Sequence, residues 1–392
     1  MKKMLMVHPD LNAPGGGNTV ALWMLQALKD DYDITLLTWE PVNFAEVNRF
    51  FGTSLQACDV SVCVAPGSLH WLAALDPSRD SIQPRAWLMR LAKRMCGQFD
   101  VVISAEDEFD LGCRAIQYIH CPYLSWHLRR LQGADGRTPF GPLRYLLGYY
   151  YRPWRLISGY SFERMKRNLT MVNSDWTGRR VAEVCGIESI TVYPPVPGSF
   201  PDVPWESRED GFVCIGRVSP EKELRKVIDV VEGVRAGGRD VHLHIVGTIG
   251  AHREEQCYFQ HVSSWAEANS SWVSLHIDLP REQLLVLVAA HRYGIHGMSE
   301  EPFGIAVAEM VVGGCIAFAP NGGGQTEIVG GDDRLLYGTV DEAVAKIGQV
   351  LDHPQAQESL RRHLSARKEL FSAERFMREI ERVVRDAELV SR

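Results

Sequence analysis

The chain has 392 residues, 45% apolar and 23% charged, with 42 basic and 49 acidic side chains and a formal charge of −7. That length suits two to three domains of roughly 150 residues, enough to bury a core without disulfides or a metal. The fractions exclude a disordered chain, a collagen-like fibre and a polytopic membrane protein, and the acidic balance argues against a general nucleic-acid binder. Short apolar runs then alternate with helix-length amphipathic segments. Met4–Val7, Ile34–Thr38, Val60–Val64, Val101–Ser104 and Ala115–Ile119 read as buried strands, with helices over Thr19–Lys29 and Arg85–Met95. Such alternation predicts a parallel sheet with helices on both faces. Leu169–Val172 is a further strand, Asn173-Ser174-Asp175 caps a helix running to about Val184, and Ile190–Tyr193 is another strand.

Pro194-Pro195-Val196-Pro197-Gly198 can continue neither a helix nor a central strand, so it reads as a linker. After it the α/β pattern restarts. The expected strands are Phe212–Ile215, Val241–Val246, Trp272–His276, Tyr293–His296 and Ile316–Ala319. The expected helices are Glu223–Arg235, His252–Asn269, Arg281–Ala290 and Gly304–Val312. From about Gln355 the tail is charged and helical. The boundaries expected are 1–197 for an amino-terminal Rossmann-like domain and 198–375 for a carboxyl-terminal Rossmann-like domain. A final helix, 376–392, should pack back toward the first. Two tandem α/β units place the expected ligand cleft at strand carboxyl ends.

Nine cysteines, odd in number and without CxxC spacing, read as reduced thiols in a reducing compartment, with no zinc site among them. The basic start, Met1 to Val7, is followed at once by His8-Pro9-Asp10, too early for a secretory leader. No apolar run approaches the roughly 18 residues of a spanning helix. The expected location is cytoplasmic, at the inner face of a membrane. The segment Arg144–Tyr160 has five tyrosines, one tryptophan, three arginines and no acid. It reads either as a partly buried helix broken at Pro153 or as a peripheral membrane contact.

Three clusters can carry chemistry. Ala13-Pro14-Gly15-Gly16-Gly17-Asn18 joins the first strand to the first helix, where glycines let an anion approach the helix amino terminus. A tight turn explains it equally well. Gly216-Arg217-Val218-Ser219-Pro220-Glu221-Lys222 puts two cations on a loop after a strand, suited to a diphosphate; an ordinary surface loop is the alternative. The stretch from His296 to Glu309 sets Glu301 in a loop and Glu309 inside an apolar helix. A buried carboxylate needs a partner. Ribose hydroxyls would serve, with the Phe303, Gly304 and Ile305 amides facing phosphate, but so would an arginine elsewhere in the core.

The blocks GRVSPEK and EPFGIAVAE, with GGGN near the start and GGGQTEIV at 322–329, resemble the retaining nucleotide-sugar glycosyltransferases of family 4. YIHCP, VNSDWT, VYPP and GIHGM are similar to the subgroup of GDP-mannose-dependent α-1,2-mannosyltransferases that extend lipid-diphosphate-linked oligosaccharides. The resemblance implies the glycosyltransferase-B fold, α/β with two tandem Rossmann-like domains facing across a cleft, 1–197 binding the acceptor and 198–375 the nucleotide sugar. It implies catalytic roles for His120, Arg217, Lys222 and Glu301. It implies donor binding by Gly16, Gly17, Arg217, Lys222, Glu301, Phe303, Gly304, Ile305 and Glu309. Arg217 and Lys222 would hold the diphosphate, Glu309 the ribose, Glu301 the sugar hydroxyls, and His120 would face the sugar from the first domain. His296 reads as a neighbour of the site.

No Asp pair is placed to hold Mg²⁺, since Asp332-Asp333 reads as a solvated turn. The two cations would replace the metal, so neither a cofactor nor a metal is expected. The partners implied are a nucleotide-sugar donor and a glycan or lipid-linked acceptor, not nucleic acid. A UDP-sugar-dependent transferase acting on a polysaccharide or natural product, a nucleotide-sugar epimerase and an inactive nucleotide-sugar-binding relative remain alternatives. So does a nicotinamide-dependent oxidoreductase, whose acidic ribose contact Glu40 would supply after the second strand, although the first glycine loop is not GxGxxG.

Overall fold

The computed structural model describes residues 1–73, 82–122, 153–250 and 253–390. The chain divides into two compact units, Met1–Pro195 together with Ala373–Arg392, and Val196–Ser372. The division falls inside the proline run. Residues 144–152 of the aromatic segment lie outside the described residues, and 153–158 are helical.

The first unit is built on seven parallel strands: β1 (Lys2–Val7), β2 (Tyr32–Thr38), β3 (Val60–Val64), β4 (Val101–Ser104), β5 (Ile116–Ile119), β6 (Leu169–Val172) and β7 (Ile190–Thr191). Their order is β3-β2-β1-β4-β5-β6-β7. Alternate residues of β1 enter opposite cores. Met4 and Met6 pack with Val20, Met24, Phe376 and Ile380; Leu5 and Val7 pack with Leu88, Ala92, Met165 and Val181. A central parallel strand is covered on both faces, which is why its sequence is apolar throughout. Helix Asp175–Cys185 starts where Ser174 Oγ accepts the Thr177 amide at 3.0 Å and stops at left-handed Gly186. The last strand ends at Thr191, two residues short of expectation, because Val192 already leads into the prolines.

Helix Ala373–Val390 belongs to this unit. Phe376, Ile380 and Val384 are fully buried beside helix Gly16–Leu28, and Tyr32 Oη donates to Glu388 at 3.1 Å. A charged tail is thereby an amphipathic helix with one core-facing stripe.

The second unit carries β8 (Glu209–Ile215), β9 (His242–Gly247), β10 (Val273–Ile277), β11 (His291–Ile295), β12 (Ile316–Pro320) and β13 (Leu336–Tyr337), all parallel, in the order β10-β9-β8-β11-β12-β13. β13 and helix Val340–Asp352 are additions to the sequence reading. A two-residue strand is too short to show a period. The order in which successive strands are added reverses between β1 and β4 and between β8 and β11. These are the switch points where ligands bind in open α/β sheets.

Candidate functional site

In the second unit the loops after β8, β11 and β12 converge at the strand carboxyl ends. Residues Pro220–Lys222 form one turn of 3-10 helix after β8. Its Lys222 ammonium bonds the Glu301 carboxylate, which lies in the loop after β11. His296 Nε2 lies 3.2 Å from the same carboxylate oxygen, and Lys222 Nζ is 3.5 Å from Met298 Sδ. Burial by itself would raise the Glu301 pKa. The His296 hydrogen bond and the Lys222 charge outweigh it and bring the carboxyl down to about 2. Glu301 is therefore an anion across the physiological range.

That shift sets a pH dependence. An unfolded glutamate titrates near 4.5, so the contribution of Glu301 is complete above that value and is lost as pH falls toward the folded value. Urea unfolding of the wild type and Glu301→Gln should show the wild type losing about 2 kcal/mol more than the variant between about pH 6 and pH 3. A pH-independent difference would contradict the pairing.

The glycine-rich block 322–324 fixes the Glu301 loop from the β12 side. Gly324 N–H donates to Glu301 O at 2.8 Å. A Cβ on Gly323, which has φ of +74°, would stand 2.2 Å from that same oxygen. A Cβ on Gly322 would meet Ser299 O at 2.4 Å. Only glycine permits this backbone-on-backbone contact. Gln325, fully buried, donates to Met298 O at 2.8 Å and Pro320 O at 3.1 Å. His296 Nδ1 and Gln325 Oε1 are buried without hydrogen-bond partners among the described residues. Unmet polar capacity in such a place suits a polar ligand.

Helix Ile305–Val312 begins at left-handed Gly304, whose Cβ position is 3.5 Å from Glu301 Cγ. The helix amino terminus thus lies beside the carboxylate loop. The Phe303 side chain turns away into the core, edge-on to Phe371 at 6.0 Å, so its backbone is what could meet a ligand. Glu309 is 8% exposed and pairs with Arg281, whose Nη1 donates to Oε1 at 2.5 Å while Nη2 donates to Pro197 O at 2.7 Å. The core arginine that the sequence left open is therefore Arg281. Among the described residues Oε2 of Glu309 accepts no hydrogen bond. Arg217 is 59% exposed, with Glu221 and Glu255 at 3.5 and 3.7 Å. The two loop cations are thus differently held: Lys222 sits partly buried on Glu301, and Arg217 faces solvent.

In the first unit the loop after β1 meets His120, the residue that follows β5. The Cβ position of Gly17 is 3.5 Å from His120 Nε2, and that nitrogen lies 3.2 Å from Ala105 O. Gly16 and Gly17 open helix Gly16–Leu28. Asn18 ties the turn together, its Nδ2 donating to Ala13 O at 2.7 Å and its Oδ1 lying 2.7 Å from His8 Nε2. Asp107, in the loop after β4, accepts the His120 and Cys121 amides at 2.8 and 3.0 Å. Burial and the neighbouring Glu106 charge push its carboxyl up. Asn173 donates to His120 O at 2.9 Å. Sequence reasoning missed Asp107 and Arg281, because neither lies within a motif and each acts through residues far away in the chain.

Residues 199–368 match the family model of glycosyl transferases group 1. The chain is 26% identical over 224 residues to a GDP-Man:Man(3)GlcNAc(2)-PP-Dol alpha-1,2-mannosyltransferase of Candida glabrata, covering 53% of this chain and 43% of the relative. A Xenopus laevis protein of the same description is 26% identical over 293 residues, 68% of this chain and 59% of the relative. The human one is 23% identical over 267 residues, 62% and 53%. The chain thus spans about half the length of the curated relatives it matches. Among solved structures, sucrose-phosphate synthase from Thermosynechococcus elongatus superposes with a TM-score of 0.70 at 12% identity, over all of both chains. Anabaena Alr3699/HepE in complex with UDP-glucose gives 0.67 at 15%, over 98% of this chain and all of the other. WaaG, a glycosyltransferase involved in lipopolysaccharide biosynthesis, gives 0.64 at 13%, over 96% and 99%. These likenesses establish the fold as two Rossmann-like units of the glycosyltransferase-B kind.

Proposed function

Since residues 199–368 form a glycosyl transferases group 1 domain, we propose that this chain moves a hexosyl group, with retention, from a nucleoside diphosphate sugar to a glycan acceptor. The donor is GDP-mannose and the acceptor a lipid-diphosphate-linked glycan, met at the cytoplasmic face of a membrane. The descriptions of the curated relatives support donor and acceptor alike. No helix among the described residues is long and apolar enough to cross a membrane. The observation that carries the proposal is the Lys222–Glu301–His296 cluster at the β8/β11 switch point, inside the segment that matches the family.

The chemistry follows from charge. When the bond from the anomeric carbon to the diphosphate breaks, negative charge develops on the leaving oxygen. Lys222, partly buried and already oriented by Glu301, supplies a preorganised cation for that charge. Arg217, on its exposed loop, folds onto the outer phosphate. Glu301 accepts hydrogen bonds from hydroxyls of the transferred sugar. Oε2 of Glu309 takes a ribose hydroxyl while Oε1 stays with Arg281. The amides opening helix Ile305–Val312 face phosphate. The acceptor hydroxyl attacks the oxocarbenium-like carbon from the leaving-group face and passes its proton to the departing phosphate oxygen. No protein base is then required. His120, whose backbone is held by Asp107 and Asn173 beside Gly17, is the first unit's candidate contact for the transferred sugar. Turnover needs no metal, because the side-chain cations hold the diphosphate.

A donor screen with chelator present tests this. GDP-mannose should raise Tm and release GDP slowly, with UDP-glucose and UDP-N-acetylglucosamine inert. Preference for a UDP sugar would overturn the choice of donor. Indifference of the folded protein to every donor would overturn the transferase reading.

A further inference from the structure

The opposite edge of the second unit's sheet holds a second cluster. In a parallel sheet all strand amino ends share one edge, and here Glu209, His242 and His291 are the first residues of β8, β9 and β11. His242 and His244, two apart, present their rings on one face of β9. His291 comes from β11, on the far side of β8. The two strands are not neighbours, so their side chains meet only if β8 leaves a gap between them. Gly211 leaves it. It pairs with His242 in register, and a Cβ there would stand 2.3 Å from His242 Nε2. Across this notch His242 Nε2 comes within 3.0 Å of His291 Nε2, and the His244 and His291 ring centres are 4.7 Å apart.

We propose that His242, His244 and His291, with the Glu209 carboxylate, form a binding site for one divalent transition-metal ion of the zinc class. One ligand nitrogen from each histidine lies within 4.8 Å of the others, so small side-chain adjustments bring all three to a single ion. Glu209 Oε2 is 3.4 Å from His242 Nε2 and 4.0 Å from His291 Nε2, where it completes a tetrahedral set. The outer partners expected of metal-binding imidazoles are in place. His291 Nδ1 donates to Leu287 O at 2.7 Å, which leaves Nε2 to bind. His244 Nδ1 is engaged by His276 Nε2 at 2.8 Å, which leaves its Nε2 likewise. Three imidazoles and a carboxylate suit zinc-like ions over Mg²⁺ or Ca²⁺, which prefer all-oxygen sets. The ion would clasp the starts of β8, β9 and β11, and the opposite ends of β8 and β11 lead into the candidate donor site.

The test uses the untagged full chain, stripped with chelator and titrated with Zn²⁺ by calorimetry and with Co²⁺ by visible absorption. The expected result is one ion per chain, a tetrahedral cobalt spectrum and a higher Tm with zinc. His242→Gln, at a partly exposed position, and His244→Gln should each weaken binding by roughly tenfold or more. His261→Gln and His353→Gln, at exposed positions elsewhere, should leave it unchanged. Absence of stoichiometric binding, or binding that survives the combined His242→Gln and His244→Gln change, overturns the proposal. The readouts are metal content and spectrum, so the result is independent of whether any sugar donor is turned over.

Discussion

Lys222→Ala is expected to lower kcat for sugar transfer by about 10²–10³-fold, the loss typical when one preorganised partner of a developing oxyanion is removed. Lys222 is 15% exposed at its side chain and bonded to Glu301, so its charge is already oriented when the donor arrives. Arg217→Ala should cost less, because that guanidinium is 59% exposed and must be ordered from solvent. Lys222→Arg should recover little of the loss. The Nζ position lies between Glu301 and Met298, and a planar fork does not fit a site built for a point charge. Single-turnover release of nucleoside diphosphate measures all three variants. If Arg217→Ala proves the more damaging, the roles of the two cations are reversed.

Glu309→Ala is expected to cost about 3–5 kcal/mol of folding stability, because it strands the Arg281 charge in a largely buried position. It should also abolish the rise in Tm produced by the donor. Those two effects separate in the reciprocal change. Arg281→Met removes the pairing and lowers Tm, yet leaves the Glu309 carboxylate in place. If Oε2 binds the ribose, Arg281→Met retains donor-dependent stabilisation. If Glu309 serves only the core, Arg281→Met and Glu309→Ala respond to donor alike, differing only in their basal Tm. Differential scanning fluorimetry with and without donor distinguishes the outcomes.

Much of this was readable in the chain. The β1 run of Met4 to Val7 is apolar at every position because both faces of the sheet are covered, and that pattern marks a central parallel strand in any sequence. Ser174 and the prolines at 194, 195 and 197 mark a helix start and a boundary by chemistry that acts over a few residues. Lys222, Glu301 and Glu309 stand out for the same reason: a charge within or beside an apolar run is conspicuous locally.

Partnership was decided only in three dimensions. Glu301 finds Lys222 from 79 positions away because the strands before their loops, β8 and β11, are neighbours though β9 and β10 intervene in the chain. Glu309 likewise finds Arg281 across 28 positions, and the adjacent strands β4 and β5 bring Asp107 to the His120 amide. Helix Ala373–Val390 joins the first unit because its apolar stripe fits beside helix Gly16–Leu28, which no local propensity reveals. The histidine cluster was the least legible. Its histidines come from two strands that are not neighbours, β9 and β11, and what brings them together is the side chain that Gly211 lacks. Sequence patterning reports how each segment meets an apolar or aqueous environment, whereas the order of strands in a sheet sets which distant side chains share one.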